Sequence, residues 1–216
     1  LAHGFVVSGS STKLVAQNCC ARGSDLHAIV THGAFVSLVD SQFQGMSGGS
    51  TIVSGSGSVL NAMGKNISGS ASTEACASYS MSVLSGASAR FSACAFDDCK
   101  SGCCVSGELS SLSAEQCSFS GNELNGVGVY LGASADLKGC VLNGNLAGLA
   151  VMASGMANTC RASACEMIGN QIYGILAEGS RAQLHLTGCV CRNNSMHNIR
   201  VSSSSAADLT GCTIGS

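Results

Sequence analysis

The sequence contains no proline and no tryptophan, and its aromatic residues are only three Tyr and six Phe. Charged residues make up 10 % of the chain, against roughly a quarter in typical soluble proteins. Because disordered chains are usually rich in charge and proline, this composition argues against disorder. The shortage of large aromatic side chains also argues against a wide, conventional core. The abundance of Ser, Gly, Ala, Cys and Val favours a narrow core packed at close spacing.

Two classes of partner are disfavoured by what the chain does not contain. The formal net charge is −2 and there is no run of Lys or Arg, so no nucleic-acid partner is predicted. No apolar stretch approaches the roughly 18 residues of a membrane span, so no membrane association is predicted. The chain begins at Leu1 in the middle of a repeat and without an initiator Met. We therefore expect a fragment of a longer chain, with any targeting signal outside it.

An internal repeat of 22 to 25 residues runs through the chain. Six cysteines mark it most clearly, at steps of 23 to 25 residues: Cys94, Cys117, Cys140, Cys165, Cys189 and Cys212. We place Gln17, Ser41 and Met63 at the same position of three earlier coils, which predicts about nine coils. The long step from Met63 to Cys94 predicts an insertion over residues 66–80 that protrudes from a corner.

Further columns keep the same period. Two residues after the cysteine position the side chains are again apolar, as in a strand with one buried face: Cys19, Phe43, Phe96, Phe119, Leu142, Met167, Cys191 and Ile214. Gly–Asn pairs then mark one corner, and single glycines a second, because these residues tolerate left-handed backbone. A third strand follows, with one inward apolar residue per coil: Leu14, Leu38, Leu60, Phe91, Leu112, Leu137, Cys160, Leu184 and Leu209.

Each coil therefore contains three short strands and three turns, and no coil can bury its apolar residues alone. Coils stacked about 4.8 Å apart would bury them in one continuous core. The predicted fold is all-β, a single-stranded parallel β-helix that forms one domain over residues 1–216. The absence of proline agrees with this fold, because almost every backbone N–H is needed in a ladder.

The stretch 126–145, GVGVYLGASADLKGCVLNGN, resembles the coils of the pectate-lyase-like superfamily. It is similar above all to degenerate coils of carbohydrate-binding and sugar-hydrolase domains and of β-helix ubiquitin-ligase subunits. The resemblance covers essentially the whole chain and implies a right-handed coil, but no particular activity. The calcium-binding carboxylates, consecutive Asp residues and Asp-Pro-His elements of the superfamily's enzymes have no counterpart here. We therefore predict no catalytic, metal-binding or cofactor-binding residue, and we lean against enzymatic activity.

The chain contains 14 Cys, and six of them share one inward column. Side chains on adjacent rungs lie about 4.8 Å apart, whereas the Cβ atoms of a disulfide lie about 3.8 Å apart. The column is therefore predicted to be a ladder of free, buried thiols. This favours a reducing, intracellular compartment, while secretion stays open because the N-terminus looks truncated. Zinc at Cys189 and Cys191 with His185 and His197 is disfavoured, because both cysteines belong to core columns.

Six charged residues are weak candidates for binding positions. Asp97 and Asp98 form the sole adjacent acidic pair. Asp98 occupies the turn position of other coils, so a left-handed turn residue is favoured over a ligand or a general acid. The other four fall in the last three coils, where they form either a solvated end or a basic binding patch: Arg161, Arg181, Arg192 and Arg200.

Two polar patterns each allow a structural and a functional interpretation. One column is interpreted as an internal ladder of side-chain amides rather than as a binding face: Asn122, Asn145, Asn170 and Asn194. Small residues predicted to point outward from the third strand would form a flat Ser/Ala face: Ser10, Thr12, Ala87, Ala89, Ala133, Ala135, Ser204 and Ala206.

The leading hypothesis is a non-enzymatic β-helix that serves as a scaffold or protein-interaction module, with a protein as partner. The alternative is a carbohydrate-binding or degenerate lyase-, hydrolase- or epimerase-like β-helix with a polysaccharide partner. A third hypothesis is a flat face that binds ice or glycans. Because Leu1 and Ser216 both fall within a coil, neither end shows a cap, and we also expect end-to-end self-association or missing flanking sequence.

Overall fold

The computed structural model describes residues 3–22, 26–44, 51–64, 67–68 and 80–215. All regular secondary structure in these ranges is β-strand, and each strand pairs in parallel with its counterpart in the neighbouring coil. In the same ranges, no helix has the length and apolar character that crossing a membrane requires.

Two sheets of nine strands each form two sides of the solenoid. Sheet 1 contains β1 (His3–Ser8), β4 (Leu26–Thr31), β7 (Thr51–Ser54), β10 (Met81–Leu84), β12 (Cys103–Ser106), β14 (Asn125–Tyr130), β16 (Ala147–Met152), β19 (Tyr173–Glu178) and β22 (His197–Ser202). Sheet 2 contains β2 (Lys13–Gln17), β5 (Phe35–Val39), β8 (Val59–Met63), β11 (Ser88–Ser92), β13 (Ser111–Glu115), β15 (Ser134–Lys138), β17 (Asn158–Ser163), β20 (Ala182–Thr187) and β23 (Ala206–Thr210).

The third side, sheet 3, is built from shorter pieces. Its ends are β3 (Cys20–Arg22), β6 (Gln42–Gln44) and β9 (Ile67–Ser68) in the first coils, and β18 (Glu166–Ile168), β21 (Val190–Arg192) and β24 (Thr213–Gly215) in the last. Between them, single parallel bridges connect Ala95, Ser118, Val141 and Glu166 in succession. The parallel β-helix of about nine coils with three strands per coil is therefore confirmed.

Both ends of the predicted insertion, residues 66–80, are tied to the stack. Ile67 pairs with Phe43 of β6, and the N–H of Ser80 donates to the carbonyl of Ser101 at 2.8 Å. The segment between these ends lies outside the described residues, so its protrusion from a corner stays a prediction.

Valine dominates one inward column of sheet 1. The column consists of Val7, Val30, Val53, Val83, Val105, Val129, Val151, Ala177 and Val201. All of these residues except Val201, in the last coil, are buried. A β-branched side chain packs well on a pleated surface, so this side of the core is filled by nearly identical rungs.

Sheet 2 has two inward positions per coil, and large and small side chains alternate between them from coil to coil. The successive pairs in coils 3 to 6 are Leu60 and Ala62, Ala89 and Phe91, Leu112 and Ala114, and Ala135 and Leu137. Each of these four coils therefore contributes one large and one small side chain, whereas coil 8 contributes Leu184 and Leu186. The exchange of positions keeps the core filled without stacking two large side chains directly on each other.

The predicted columns need two corrections of register. Gln17 and Met63 both pair with Val39 and are exposed, so neither belongs to the cysteine column; in coil 1 that position is held by Cys19, whose N–H donates to Ser41 Oγ at 3.3 Å. The inward column predicted for the third strand mixes both inward positions of sheet 2. Its members divide into Leu14, Leu60, Leu112, Cys160 and Leu184 at one position and Leu38, Phe91, Leu137 and Leu209 at the other.

The predicted flat Ser/Ala face is wrong in four of its members. Ala87, Ala89, Ala133 and Ala135 are buried, because they occupy inward positions of sheet 2 or of the corner before it. A small side chain is compatible with either side of a strand, so alternation of residue size could not separate inside from outside here.

The last coil leaves inward-type side chains uncovered. Val201 is 42 %, Leu209 41 % and Ile214 50 % exposed, and among the described residues no strand lies beyond β22, β23 and β24. An open strand edge beside exposed apolar side chains can pair with another chain. End-to-end self-association therefore stays a proposal.

We predict that Leu137→Asp destabilises the fold by at least about 4 kcal/mol, because it places an unpaired charge inside the core. Leu137 is 0 % exposed. Ser134→Asp is the matched control, since it introduces the same side chain at an exposed position of the same strand β15 and should cost less than about 0.5 kcal/mol. Urea unfolding followed by circular dichroism measures both; equal stabilities for the two variants would contradict the register.

Candidate functional site

The cysteine column lies between sheets 2 and 3. Cys94, Cys117, Cys140, Cys165 and Cys189 are buried, and Cys212 in the last coil is partly exposed. Each thiol donates to the backbone carbonyl two residues earlier, at 3.3 to 3.6 Å. All thirteen cysteines in the described part of the chain are free. The column is thus a repeated hydrogen-bonded packing element.

Five of the buried thiols are poorly suited to nucleophilic chemistry, whereas hydrogen bonds from neighbouring thiols of the column lower the pKa of Cys140 and Cys189. Burial raises the pKa of the thiols of Cys103 and Cys160, and raises the pKa of Cys191 to about 12. Hydrogen bonds with neighbouring thiols of the column, followed by burial, raise the pKa of Cys117 and Cys165. Because the thiolate is the reactive species, these five thiols are protonated and unreactive near neutral pH.

We predict that a maleimide reagent modifies the native protein, among its described cysteines, at Cys19 and Cys20, and more slowly at Cys212. These residues are exposed or partly exposed, whereas the other ten described cysteines are buried. Denaturation should add the ten buried thiols to the modified set, as measured by peptide mass spectrometry. Cys19→Ser with Cys20→Ser should remove the fast labels of the described region. Disulfide-linked peptides from neighbouring coils would contradict the free-thiol column.

The asparagine column is a buried amide ladder, as predicted. The Nδ2 atoms of Asn122, Asn145 and Asn170 donate to Oδ1 of Asn145, Asn170 and Asn194, at 2.9, 3.3 and 2.8 Å. The Nδ2 of Asn194 donates to Oδ1 of Asn198 at 2.9 Å, which ends the ladder in the last coil. These amides satisfy one another and the turn backbone, so they are not free to bind a ligand.

A glycine column makes room for this ladder. A Cβ atom at Gly126 would lie 2.7 Å from the carbonyl oxygen of Gly148, and one at Gly148 would lie 2.7 Å from that of Gly174. The same added atoms would come within 3.0 and 3.1 Å of the amides of Asn145 and Asn170. Glycine is therefore required by close approach of the chains, not by flexibility.

We predict that Asn145→Ala costs about 2 to 4 kcal/mol of stability, because it leaves several buried groups without partners. Asn145 Oδ1 accepts from the N–H and Nδ2 of Asn122, and its Nδ2 donates to the carbonyl of Phe119. Asn61→Ala is the control, since Asn61 Oδ1 has no hydrogen-bond partner; it should leave the midpoint of thermal unfolding almost unchanged. Equal losses of stability in the two variants would show that the hydrogen bonds of the amide ladder do not stabilise the fold.

The acidic pair Asp97–Asp98 is divided between two structural roles. Asp97 Oδ1 accepts from Ser118 Oγ at 2.6 Å and from the N–H of Ser120 at 2.7 Å. Asp98 has a φ of 55°, which is the left-handed turn geometry expected from its position. Asp97 therefore takes the place of a backbone acceptor in sheet 3, and the pair does not present two carboxylates to a common ligand.

The four candidate arginines lie on different surfaces and are not brought together. Arg161 points outward from sheet 2, and Arg192 is on the outer side of sheet 3. Arg200 lies on sheet 1, where its Nη1 donates to the hydroxyl of Tyr173 at 2.8 Å. Arg181 lines a depression of about 450 Å³ at the corner between sheets 1 and 2. No basic patch is therefore formed by these four side chains.

The outer surface of sheet 1 carries an apolar column that the sequence analysis missed. Its outward residues from coil 1 to coil 9 are Val6, Ile29, Ile52, Ser82, Cys104, Gly128, Ala150, Leu176 and Arg200. Val6 is 55 % exposed, and no charged residue occurs in this column before Arg200. Cys104, Gly128 and Ala150 of this column are buried. Together with Leu84, Tyr130 and Met152 of the next outward column, whose other members are Ser, Thr and Glu178, the residues of the column form what we call the apolar face.

Tyr130 shapes the middle of the apolar face. Its side chain folds back over Gly128, where an added Cβ would contact the tyrosine hydroxyl, and the Nδ2 of Asn125 donates to that hydroxyl at 2.9 Å. The signal for this face was present in the sequence: in sheet 1, consecutive apolar residues such as Phe5-Val6-Val7 indicate apolar positions on both sides of a strand.

The outer surface of sheet 2 carries apolar residues such as Val15 and Met63 in coils 1 to 3, is polar and charged from coil 4 onward, and contains a shallow groove. Two adjoining depressions, of about 380 and about 280 Å³, share Arg90 and Ser113 in their linings. The lining runs from Ser37 in coil 2 to Arg161 in coil 7. Val39, Ala62 and Met63 make its first part largely apolar, and Ser and charged side chains predominate from coil 4 onward. No group of three or more His, Cys, Asp or Glu in the described part of the chain is placed to hold a metal ion.

Comparison with known proteins agrees with the geometry at the level of the fold. A family model described as a right handed beta helix region matches residues 26–190, which also gives the right-handed sense of the coil. No curated protein matches the chain. One solved structure, of trypsin-treated QnrB1, a plasmid-mediated fluoroquinolone resistance protein, shares 16 % identity over 90 % of this chain and 91 % of that chain, with a TM-score of 0.33.

Proposed function

The chain belongs to the right-handed β-helix family, and we propose that it is a non-enzymatic scaffold that binds another protein through the apolar face of sheet 1. The observation that supports this is the uncharged outward column of that sheet over eight consecutive coils. Exposed apolar side chains grouped on one surface are characteristic of protein–protein contact.

The contrast between the two long sheets supports the assignment of the face. The outward positions of sheet 2 include Lys13, Arg90, Glu115, Asp136, Lys138, Arg161, His185 and Asp208. The two outward columns of sheet 1 carry one charged residue before coil 9, Glu178 in coil 8. In coils 1 to 3 sheet 2 also carries outward apolar residues, among them Val15 and Met63, so the contrast between the sheets holds from coil 4 onward. Because both sheets face solvent on their outer side, solubility alone does not explain why sheet 1 stays nearly free of charge there.

The chemistry of the face favours a flat, apolar partner surface. Ile29 and Ile52 are half-buried and lie on adjacent rungs, so they form a low ridge rather than a pocket. Interfaces of this kind rely on close packing around a few large anchors, and Tyr is enriched among them. Tyr130, held by Asn125, is the anchor that this face provides.

Carbohydrate binding is the second candidate, and the groove on sheet 2 is the observation in its favour. Its exposed lining contains no aromatic ring on which a sugar could stack, and its carboxylates, Glu115 and Asp136, lie in different columns. The free, buried thiols support the further proposal of a reducing, intracellular compartment.

We predict that Ile29→Lys with Ile52→Lys weakens binding of the protein partner, because two charges would have to be desolvated at the contact. Ser37→Lys with Asn61→Lys is the matched control, since these half-buried outward residues of sheet 2 occupy the same two coils. A photo-crosslinking residue placed at Ile52 identifies the partner in cell extract, and one placed at Asn61 serves as the comparison. The purified partner is then titrated against each Lys variant to measure its affinity.

The expected result is a loss of affinity of at least about ten-fold for the sheet 1 variant and none for the control. Thermal unfolding of both variants checks that the fold is intact. Equal losses in both variants, or cross-links that form only at Asn61, would refute the assignment to sheet 1. Binding on a glycan array without any protein cross-link would replace it by the carbohydrate function.

A further inference from the structure

In one outward column of sheet 2, the Arg and Asp residues would face opposite charges if the column were laid against a reversed copy of itself. Reading from coil 4 to coil 9, the residues are Arg90, Ser113, Asp136, Arg161, His185 and Asp208. We call these six residues the charged column. Neighbouring members lie on adjacent rungs, about 4.8 Å apart.

Most of the charge in this column is not used within the chain. Among the described residues, Arg90, Asp136 and Arg161 take part in no ion pair, whereas His185 Nδ1 lies 3.0 Å from Asp208 Oδ2. All three unpaired side chains are exposed. Asp208 is 81 % exposed, so its carboxylate retains room for a second partner.

A two-fold axis that lies in the interface, parallel to the strands and between coils 6 and 7, would bring opposite charges together. Turning a second copy about this axis places its Arg161 opposite Asp136, and its Asp136 opposite Arg161. The same rotation places Asp208 of the second copy opposite Arg90. A two-fold interface must be self-complementary in this way, because each residue pair occurs twice.

The columns on either side allow the two surfaces to approach. One contains only small or uncharged residues: Ser88, Ser111, Ser134, Thr159, Gln183 and Ala206. In the other flanking column, the two-fold axis places Lys138 of one copy opposite Ser163 of the second copy, and Glu115 opposite Thr187. No like charges therefore face each other. The internal ion pair between Lys138 Nζ and Glu115 Oε1, 2.7 Å long, is left intact.

A parallel arrangement of two rods lacks this complementarity. It would place each coil opposite the same coil of the second copy, so that Arg90 would face Arg90 and Asp136 would face Asp136. Juxtaposed like charges oppose association. The pattern therefore selects the antiparallel arrangement.

We propose that two copies of this chain associate side by side and antiparallel through the outer surface of sheet 2, over coils 4 to 9. Six rungs and five-residue strands give a patch of about 29 by 16 Å, or about 900 Å² for the two copies together. Stable complexes bury about 1,200 to 2,000 Å². The dimer is therefore weak, and it depends on protein concentration and on salt.

Charge reversal tests the pairing directly. Asp136→Arg alone places Arg opposite Arg161 of the second copy, and Arg161→Asp alone places Asp opposite Asp136. Each variant alone should associate at least about ten-fold more weakly than the natural chain. An equal mixture of the two variants should form a heterodimer, because every pair across the axis is then again of opposite charge.

Sedimentation velocity, at concentrations reaching the millimolar range and at low and high salt, measures all four samples. Arg192→Asp, a charge reversal on sheet 3, is the control and should leave association unchanged. A natural chain that stays monomeric at low salt would overturn the proposal, as would a mixture that associates no better than its components. Particles that grow beyond dimers and ignore both reversals would show end-to-end stacking instead, and would likewise overturn it.

Discussion

Parallel stacking of one coil on the next is the constraint on which the rest of this molecule depends. Backbone N–H and carbonyl groups in the strands are bonded to the neighbouring coils, so a side chain within the stack has counterparts about 4.8 Å away on the same column. A residue is therefore acceptable inside only if it tolerates a similar residue directly above and below. Valine meets this condition by shape, cysteine by its small size and its bond to a carbonyl, and asparagine by its amide, which both donates and accepts.

The two inward positions of sheet 2 show what happens where identical stacking would fail. Phe91 and Leu137 each lie next to a small residue at the same position of the adjacent coil, and the second inward position compensates with the opposite size. In coils 3 to 6 the side-chain volume at these two positions is thus balanced within each coil rather than within each column. This arrangement also lets single residues vary while the rod keeps a constant cross-section.

Much of this organisation could be predicted from the sequence, because the constraint acts on columns and columns are visible as a period. The buried Cys94–Cys189 column, the amide ladder from Asn122 to Asn194 and the left-handed Asp98 were identified in this way. The errors at Gln17 and Met63 are shifts of two residues, which the two-residue alternation of a strand cannot detect. Ala87 and Ala135 were placed outside because a small side chain carries no information about burial.

The outer surfaces escape this constraint, and for that reason they carry the information about function. An outward side chain needs only to avoid repelling its neighbour on the next rung, so a column outside can be apolar, as at Ile29 and Ile52, or charged, as from Arg90 to Asp208. Selection for stacking alone would not produce a regular pattern of residue types along an outward column. Two ordered patterns on two different sheets are thus more than the fold requires. Because the sheets form different sides of the rod, the proposed partner and the proposed second copy would not compete for the same surface.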